Sequence, residues 1–206
     1  AMLHLRRQVR DPALRAKLVR DFPIGAKRVL LNDDYFRTLN RRNVRLVTDP
    51  IDSIVADGVR TKSGEHFAAD VIIYATGFKA TDFLAPMTIT GAGGHALSEE
   101  WRQGARAYLG VTVSGFPNLF MLYGPNTNLG HNSILVMIEA QVGYIFDAIR
   151  QLDERGLKRL EVKRAVMDEY NRVLQRDLAK SVWAVDKQSW YKLADGTITN
   201  NWPHST

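Results

Sequence analysis

Two adjacent cations stand where they could hold an anionic ligand. Lys27 and Arg28 come directly before an apolar run and follow Pro23 and Gly25. A lysine can contact a phosphate as a point charge, and the planar guanidinium of an arginine can hold a flat anion. The alternative is a solvated surface pair, and these residues alone favour it.

The loop from Gly124 to Asn132 also has the composition of a ligand site. It lies between a predicted strand and the most regular predicted helix, so that backbone N–H groups and the positive helix end would face an anion or a polar ring edge. Its polar side chains are Asn126, Thr127, Asn128, His131 and Asn132. They favour a ligand over a plain connection. His131 has no histidine partner at metal-ligand spacing, so no metal site is predicted.

A third segment consists of the small residues Ala75, Thr76 and Gly77, which follow the apolar run 71–74. The run predicts a buried strand, and the small residues at its end let a ligand approach the backbone. In α/β proteins, ligands bind at the carboxyl ends of strands. A glycine turn without a ligand explains so short a motif equally well.

The elements that would position these segments follow from hydrophobic spacing and turn signals. Helices are predicted over residues 3–20, with a restart at Pro12, from Ile134 to Gly156, and over 164–182. An isoleucine-rich stripe at helical spacing marks the second of these helices. Strands are predicted over 29–31, 44–47, 51–56, 59–62, 66–67, 71–74, 109–113 and 119–123. Asp57-Gly58 predicts a hairpin turn.

Composition excludes several classes of protein. The 206 residues contain no cysteine, which excludes disulfides, thiolate metal sites and a cysteine nucleophile, and is typical of a reducing compartment. We therefore predict a cytoplasmic location. No apolar run reaches the ~20 residues of a membrane span, so no membrane partner is predicted. The net charge of +6 is concentrated in the first 48 residues, but no nucleic-acid-binding motif accompanies it, and no nucleic-acid partner is predicted.

Taken in order, segments along nearly the whole chain resemble the flavin-dependent Baeyer–Villiger monooxygenases and the wider flavin-containing monooxygenase family. No single segment is specific, whereas the ordered set is. The segments are Asp11–Leu18, Phe22–Arg28, Asp34–Phe36, Asn43–Val47, Asp70–Phe78, Gly115–Phe120, Gly124–Asn126, His131–Ser133, Ile138-Glu139 and Ser189–Tyr191.

The resemblance implies an α/β fold of the FAD/NAD(P)-binding, Rossmann-like, three-layer type, present only in part. Residues 1–75 are expected to be the end of an NADP-binding domain, with a helical lead-in and an antiparallel meander. Residues 76–206 are expected to be the C-terminal part of an FAD-binding domain, with C-terminal helices and a mobile aromatic tail. The chain contains no Gly-x-Gly-x-x-Gly motif. Both pyrophosphate loops are therefore expected in a missing N-terminal part, and the chain alone is expected to be inactive and to hold FAD weakly.

The resemblance also assigns roles to individual residues. Arg28 matches an arginine expected to stabilise an anionic peroxyflavin, and Lys27 matches a contact to the 2′-phosphate of NADP. Trp190 matches an aromatic residue of a mobile loop that covers NADP. The turn that links the two nucleotide domains is matched by Ala75, Thr76 and Gly77. The loop and helix start near the flavin ring are matched by Gly124, Pro125, Asn126, Asn132, Ser133 and Ile134.

The implied activity is NADPH- and FAD-dependent monooxygenation of the Baeyer–Villiger type, in which a small ketone and O₂ give an ester or lactone. Two alternatives stay open. One is an N- or S-oxygenating flavin-containing monooxygenase, whose substrate carries a reactive heteroatom. The other is a non-catalytic nucleotide-binding module. The segments Lys27-Arg28 and Ser189–Tyr191 favour the Baeyer–Villiger type.

Overall fold

The structure, a computed structural model, describes residues 2–185 and 189–205. Residues 1, 186–188 and 206 lie outside this description, and 186–188 belong to the predicted aromatic tail. Among the described helices, none combines the length and the apolar character that crossing a membrane requires.

The chain folds as two compact units. The first comprises Ala1–Asp21 and Leu30–Phe78, and the second comprises Phe22–Val29 and Lys79–Thr206. The segment that carries Lys27 and Arg28 therefore folds with the second unit, although the first unit flanks it on both sides. Which unit binds which nucleotide stays a prediction.

Short helices begin the first unit. They are α1 (Met2–Gln8), α2 (Pro12–Leu18) and α3 (Tyr35–Thr38). The carboxylate of Asp11 accepts a hydrogen bond from the backbone N–H of Ala13 (2.9 Å), and Pro12 occupies the first helical position, so α2 has a favourable start. Leu5, Val9 and Leu18 form the core of this helical part.

An antiparallel sheet completes the first unit, with the strand order β1-β2-β3. The strands are β1 (Ile51–Val55), β2 (Gly58–Thr61) and β3 (His66–Ala68). The predicted meander is therefore present, but its first turn lies one residue earlier than predicted. Ala56 and Asp57 form the turn, and Gly58 already pairs with Val55.

The strands predicted over 29–31, 44–47 and 71–74 are wrong, because these segments belong to no sheet in the structure. Leu31 is 97% exposed and Ile73 is 86% exposed. A strand needs a neighbour whose N–H and C=O groups pair with its own. The described residues supply no such neighbour for these three segments.

The strands predicted over 109–113 and 119–123 are also wrong: a turn occupies the start of the first segment, and the second has no regular structure. Leu109 and Gly110 have left-handed backbone angles, with φ of 55° and 67°, and this reverses the chain. The apolar residues of this region are nevertheless buried. They pack into the core of the second unit, which consists of Leu97, Ala107, Val113, Phe116, Met121 and Met167.

Helices frame that core. They are α4 (Leu97–Glu100), α5 (Ile134–Glu154), α6 (Arg164–Leu178) and α7 (Val182–Val185). The two long helices confirm the predicted ones, although α6 ends four residues early. The stripe that predicted α5 is not its buried face, since Val142 and Ile149 are exposed, whereas Met137, Gln141 and Ala148 are buried.

Glu100 links α4 to α6 through ion pairs. Its side chain is only 9% exposed and accepts hydrogen bonds from Arg164 Nη2 (3.0 Å) and Arg106 Nη2 (3.2 Å). Arg106 also donates to Asp168 of α6 (3.0 Å). The Arg164 hydrogen bond outweighs the effect of burial, so the pKa of Glu100 lies below its ordinary value.

These pairs predict a pH-dependent stability. Because the folded pKa of Glu100 is lowered, its contribution is complete above the ordinary glutamate value of about 4.3 and is lost as the pH falls through the folded pKa. We expect Glu100→Gln to lower the free energy of unfolding by about 2 kcal/mol at pH 7 and by much less at pH 3. Urea unfolding at both pH values measures this. Glu99→Gln, at an exposed neighbour, is the control, and a pH-independent loss in Glu100→Gln would contradict the prediction.

Two glycines predict opposite effects of the same substitution. A Cβ on Gly110 would lie 2.0 Å from Cγ2 of Thr127 and 2.9 Å from the carbonyl oxygen of Pro125, and the φ of Gly110 is left-handed. We expect Gly110→Ala to cost about 3 kcal/mol of unfolding free energy. Gly143 lies inside α5 with no atom within 4 Å of its Cβ position, so Gly143→Ala should stabilise by about 1 kcal/mol. Urea denaturation of both variants tests the pair, and equal effects would refute it.

Candidate functional site

Arg28 lies in the second unit, close enough to Tyr123 to act on its phenol. Burial raises the pKa of Tyr123, the positive charge of Arg28 opposes this rise, and the phenol of Tyr191 adds to it. Arg28 is exposed and has no ion-pair partner among residues 2–185 and 189–205. Its guanidinium charge is therefore available to a ligand.

Lys27 points to the aromatic ring at the start of the same segment. Its Nζ lies 4.6 Å from the ring centroid of Phe22, a cation–π contact. Between them, Ala26 is fully buried, and its N–H donates to the carbonyl of Pro23 (3.2 Å). A buried anchor and a tight turn thus present the two cations.

The start of the glycine-rich loop is buried against backbone. A Cβ on Gly124 would lie 2.3 Å from the carbonyl oxygen of Gly110, so only glycine fits there. The hydroxyl of Thr127 donates to the carbonyl of Gly124 (2.7 Å) and closes the loop. Pro125 and Asn126 are also buried. The start of the loop is thus a packed element of the second unit.

Asn126 connects this loop to the tail. Its Nδ2 donates to the carbonyls of Ile198 (2.6 Å) and Asn201 (3.2 Å), and its own φ is left-handed at 57°. The tail carries Trp190, which is 48% exposed, and Tyr191, which is buried, with ring centroids 5.1 Å apart. The structure thus places Trp190 in the same unit as Arg28 and the loop.

The end of the loop leads into the N-terminus of α5. The side-chain oxygen of Asn132 accepts a hydrogen bond from the N–H of Ser133 (2.7 Å), and Ser133 Oγ accepts one from the N–H of Leu135 (3.3 Å). Asn132 and Ser133 are exposed and Ile134 is half-buried. No acidic residue lies in the first turn of α5, so the positive field of the helix end is not neutralised locally.

Ala75, Thr76 and Gly77 lie in the first unit, unlike the other predicted site residues. All three are exposed and have no regular secondary structure. The structure therefore divides the predicted site residues into two sets, and their roles in binding stay predictions.

Sequence reasoning missed two residues of this region, Tyr123 and Gln141. Gln141 is buried in α5, where its Oε1 accepts from the N–H of Tyr123 (2.9 Å) and its Nε2 lies 3.4 Å from the carbonyl of Leu109. The available signal was helical spacing, because Gln141 lies four residues after Met137 on the buried face.

Among the cavities described, those of the second unit reach the predicted site only at the glycine-rich loop. A cleft of about 1210 Å³ belongs to the first unit and is lined by no predicted site residue. In the second unit, Thr127 lines a cavity of about 190 Å³ beside α5, and Asn126 lines one of about 300 Å³ beside α6. Arg28 lines none of these cavities, so charge and packing around Arg28 and the loop define the candidate site.

Curated proteins similar to the chain are monooxygenases. It is 41% identical over its whole length to a Baeyer-Villiger monooxygenase of Pseudomonas aeruginosa and 38% identical over 96% of its length to one of Streptomyces coelicolor. It is also 46% identical, over 93% of its length, to an FAD-binding monooxygenase of Aspergillus niger. The chain covers 40%, 38% and 32% of these three relatives. No protein-family model matches it.

Solved structures of monooxygenases are similar to the chain as well. Oxidized steroid monooxygenase bound to NADP superposes with a TM-score of 0.85 at 35% identity, over 97% of this chain and 39% of that one. OTEMO in complex with FAD and NADP gives a TM-score of 0.86 at 31% identity, over 96% and 38%.

The fold is thus part of an FAD/NAD(P)-binding, Rossmann-like flavoprotein, which confirms the predicted fold class. The chain belongs to the family of Baeyer–Villiger monooxygenases. It spans about 40% of the length of the curated relatives it matches most fully.

The geometry around Arg28 predicts a change in the titration of Tyr123. Removing the guanidinium charge in Arg28→Gln should raise the pKa of Tyr123 further, because the charge favours the tyrosinate form. The ¹³Cζ resonance of labelled tyrosine, followed against pH, measures this, and Tyr123→Phe identifies the signal. Arg155→Gln removes a charge that does not act on Tyr123 and should leave the titration unchanged. An unchanged or lowered pKa of Tyr123 in Arg28→Gln would refute the electrostatic interaction between the two residues.

Proposed function

We propose that the protein containing this chain is an NADPH- and FAD-dependent monooxygenase of the Baeyer–Villiger type, which converts a ketone and O₂ into an ester or lactone. One observation carries the proposal: the similarity to proteins of this name extends over the whole chain, at 41% identity to the Pseudomonas aeruginosa relative. The NADP- and FAD-containing neighbours support both cofactors.

Arg28 supports the proposal on physical grounds. A guanidinium cannot lose its proton in a protein, so it is a permanent countercharge for a group that becomes anionic during reaction. In the described part of the chain no carboxylate neutralises it. The N-terminus of α5, a helix of 21 residues, adds a weaker positive field in the same unit.

The residues present fit the two cofactors. Lys27 and Trp190 would hold NADP through its 2′-phosphate and its flat ring. Asn132, Ser133 and Ile134, where α5 begins, would hold the flavin edge. Gly124, Pro125 and Asn126 are buried, so their part would be to hold the loop in place behind that edge. When bound, reduced flavin supplies oxygen activation and NADPH supplies the electrons. The role of the chain is then to orient both groups and to supply positive charge.

The exposed apolar surface supports a further proposal, that another part of the same protein covers this chain. Leu30, Leu31, Val71 and Ile73 are exposed in extended segments that lack strand partners within the described residues. On α5, Leu135, Val142, Phe146 and Ile149 are exposed on a helix that is otherwise amphipathic. Exposed apolar area of this extent is typical of a surface that another part of a protein contacts. We propose that the covering part carries the pyrophosphate-binding loops. The cytoplasmic location stays a prediction.

A chimera tests the proposed function. In it, this chain replaces the matching 40% of the Pseudomonas aeruginosa relative. We expect the purified chimera to contain flavin and to convert a cyclic ketone to its lactone with NADPH, as measured by product analysis. In the chimera, Arg28→Ala should reduce lactone formation at least about 100-fold while NADPH oxidation continues, because only the charge on the reacting group is lost. Arg155→Ala is the matched control and should retain activity.

Each outcome separates the alternatives. Lactone formation retained in Arg28→Ala contradicts the role of Arg28. A flavin-containing chimera that oxygenates amines or sulfides but no ketone favours an N- or S-oxygenating enzyme. A folded chimera without flavin favours a non-catalytic module.

A further inference from the structure

Several hydrogen bonds join the tail of the second unit to the rest of that unit, and two of them converge on one backbone carbonyl. The carbonyl oxygen of Ile198 accepts hydrogen bonds from Asn126 Nδ2 (2.6 Å) and from Gln175 Nε2 (2.8 Å). Both acceptor positions of this oxygen are therefore used. Ile198 is 2% exposed. The glycine-rich loop, helix α6 and the tail thus meet at a buried point.

Backbone hydrogen bonds continue the attachment on both sides of this point. The N–H of Asn126 donates to the carbonyl of Thr199 (2.8 Å), and the N–H of Asn128 donates to the carbonyl of Asn200 (2.9 Å). The N–H of Trp202 in turn donates to the carbonyl of Asn128 (2.9 Å). The tail therefore runs alongside the loop in a short parallel pairing.

The attached segment also fixes the aromatic pair. The N–H of Thr199 donates to the carbonyl of Tyr191 (3.1 Å), and the N–H of Leu193 donates to the carbonyl of Thr197 (2.9 Å), which folds the tail back on itself. Trp190 precedes Tyr191 and contacts its ring. The position of Trp190 therefore depends on Thr199, and Thr199 is hydrogen-bonded to the loop.

We infer that Asn126 is a positioning residue, whose side-chain amide fixes Trp190 and Tyr191 relative to Arg28 by holding the tail on the glycine-rich loop. Asparagine suits the position twice over, because it tolerates the left-handed backbone and its amide donates to two carbonyls. The nitrogen of that amide is engaged by the tail, so it is not free to contact a cofactor. The consequence for NADPH rests on the proposed function.

Limited trypsin digestion of the 206-residue chain tests the attachment without any cofactor. Asn126→Gly keeps the left-handed backbone and removes both hydrogen bonds that the side-chain amide donates. We expect cleavage after Lys192 to become about tenfold faster, because the tail opens more often, while cleavage after Arg155 stays unchanged. Asn118→Gly is the matched control. Asn118 is also left-handed, but its amide donates to Lys158, so cleavage after Lys192 should not change.

A second variant keeps the inference testable if Asn126→Gly fails to fold. Gln175→Met removes the hydrogen bond that Gln175 donates to the carbonyl of Ile198 (2.8 Å) and the one that it accepts from the N–H of Ile198 (3.2 Å), and it leaves the loop sequence intact. It should accelerate hydrogen exchange at the amides of Thr199 and Trp202, as measured by NMR, without affecting the amides in the middle of α5. Unchanged protection at both amides, or unchanged cleavage after Lys192 in a folded Asn126→Gly chain, overturns the inference.

The chimera supplies the functional readout. Gln175→Met, which is not in the predicted binding site, should raise KM for NADPH about tenfold and leave kcat within twofold, because Trp190 loses its fixed position while the charge of Arg28 remains. A fall in kcat at unchanged KM overturns the positioning role. If the chimera without any substitution is inactive, that result contradicts the proposed function alone. The digestion and exchange experiments still test the inference, because they need no activity.

Discussion

The close contact between Gly110 and Gly124 is the constraint on which the second unit depends. At this point two backbones touch, and a single Cβ on either glycine would collide with atoms about 2 Å away. The contact brings the left-handed turn at Leu109 against the glycine-rich loop. With the loop held there, Gln141 can bridge Tyr123 and Leu109 from α5, and the loop can accept the tail. A ligand site built on such a loop has little freedom to adjust, so its geometry is set before anything binds.

The arginines of the second unit differ in whether a carboxylate pairs with them. Arg106 and Arg164 are both committed to Glu100, which is nearly buried, and they stabilise the packing of α4 on α6. Arg28 has no carboxylate partner in the described residues and stands beside a partly buried phenol. Sequence alone does not distinguish a paired arginine from an unpaired one, because the partners lie far apart along the chain. Glu100 and Arg164, for example, are 64 residues apart.

How far the sequence predicted the structure depended on whether an element is determined locally. Helices α5 and α6 were predicted because their spacing is contained in their own residues, and the Asp11-Pro12 start of α2 is similarly local. The strands at Leu31 and Ile73 were predicted from composition, but a strand depends on a partner, and none is described for either. The isoleucine stripe of α5 predicted the helix but not its buried face, because hydrophobic spacing does not say which part of a protein covers it. In the candidate site, Arg28 and the loop were found from residue type, whereas Tyr123 and Gln141 were missed because only their contacts give them significance.

The path of the chain through its two units has a practical consequence. Phe22–Val29 leaves the first unit for the second, and the chain then returns to the first unit until Phe78. The chain thus passes from one unit to the other three times, so no single cut separates them. Cutting the chain after Phe78 would leave Lys27 and Arg28 on the N-terminal fragment and separate them from Tyr123 and the glycine-rich loop. Recombination between relatives, natural or engineered, must therefore exchange the two units together. Otherwise it separates the segment that carries Lys27 and Arg28 from the second unit, with which this segment folds.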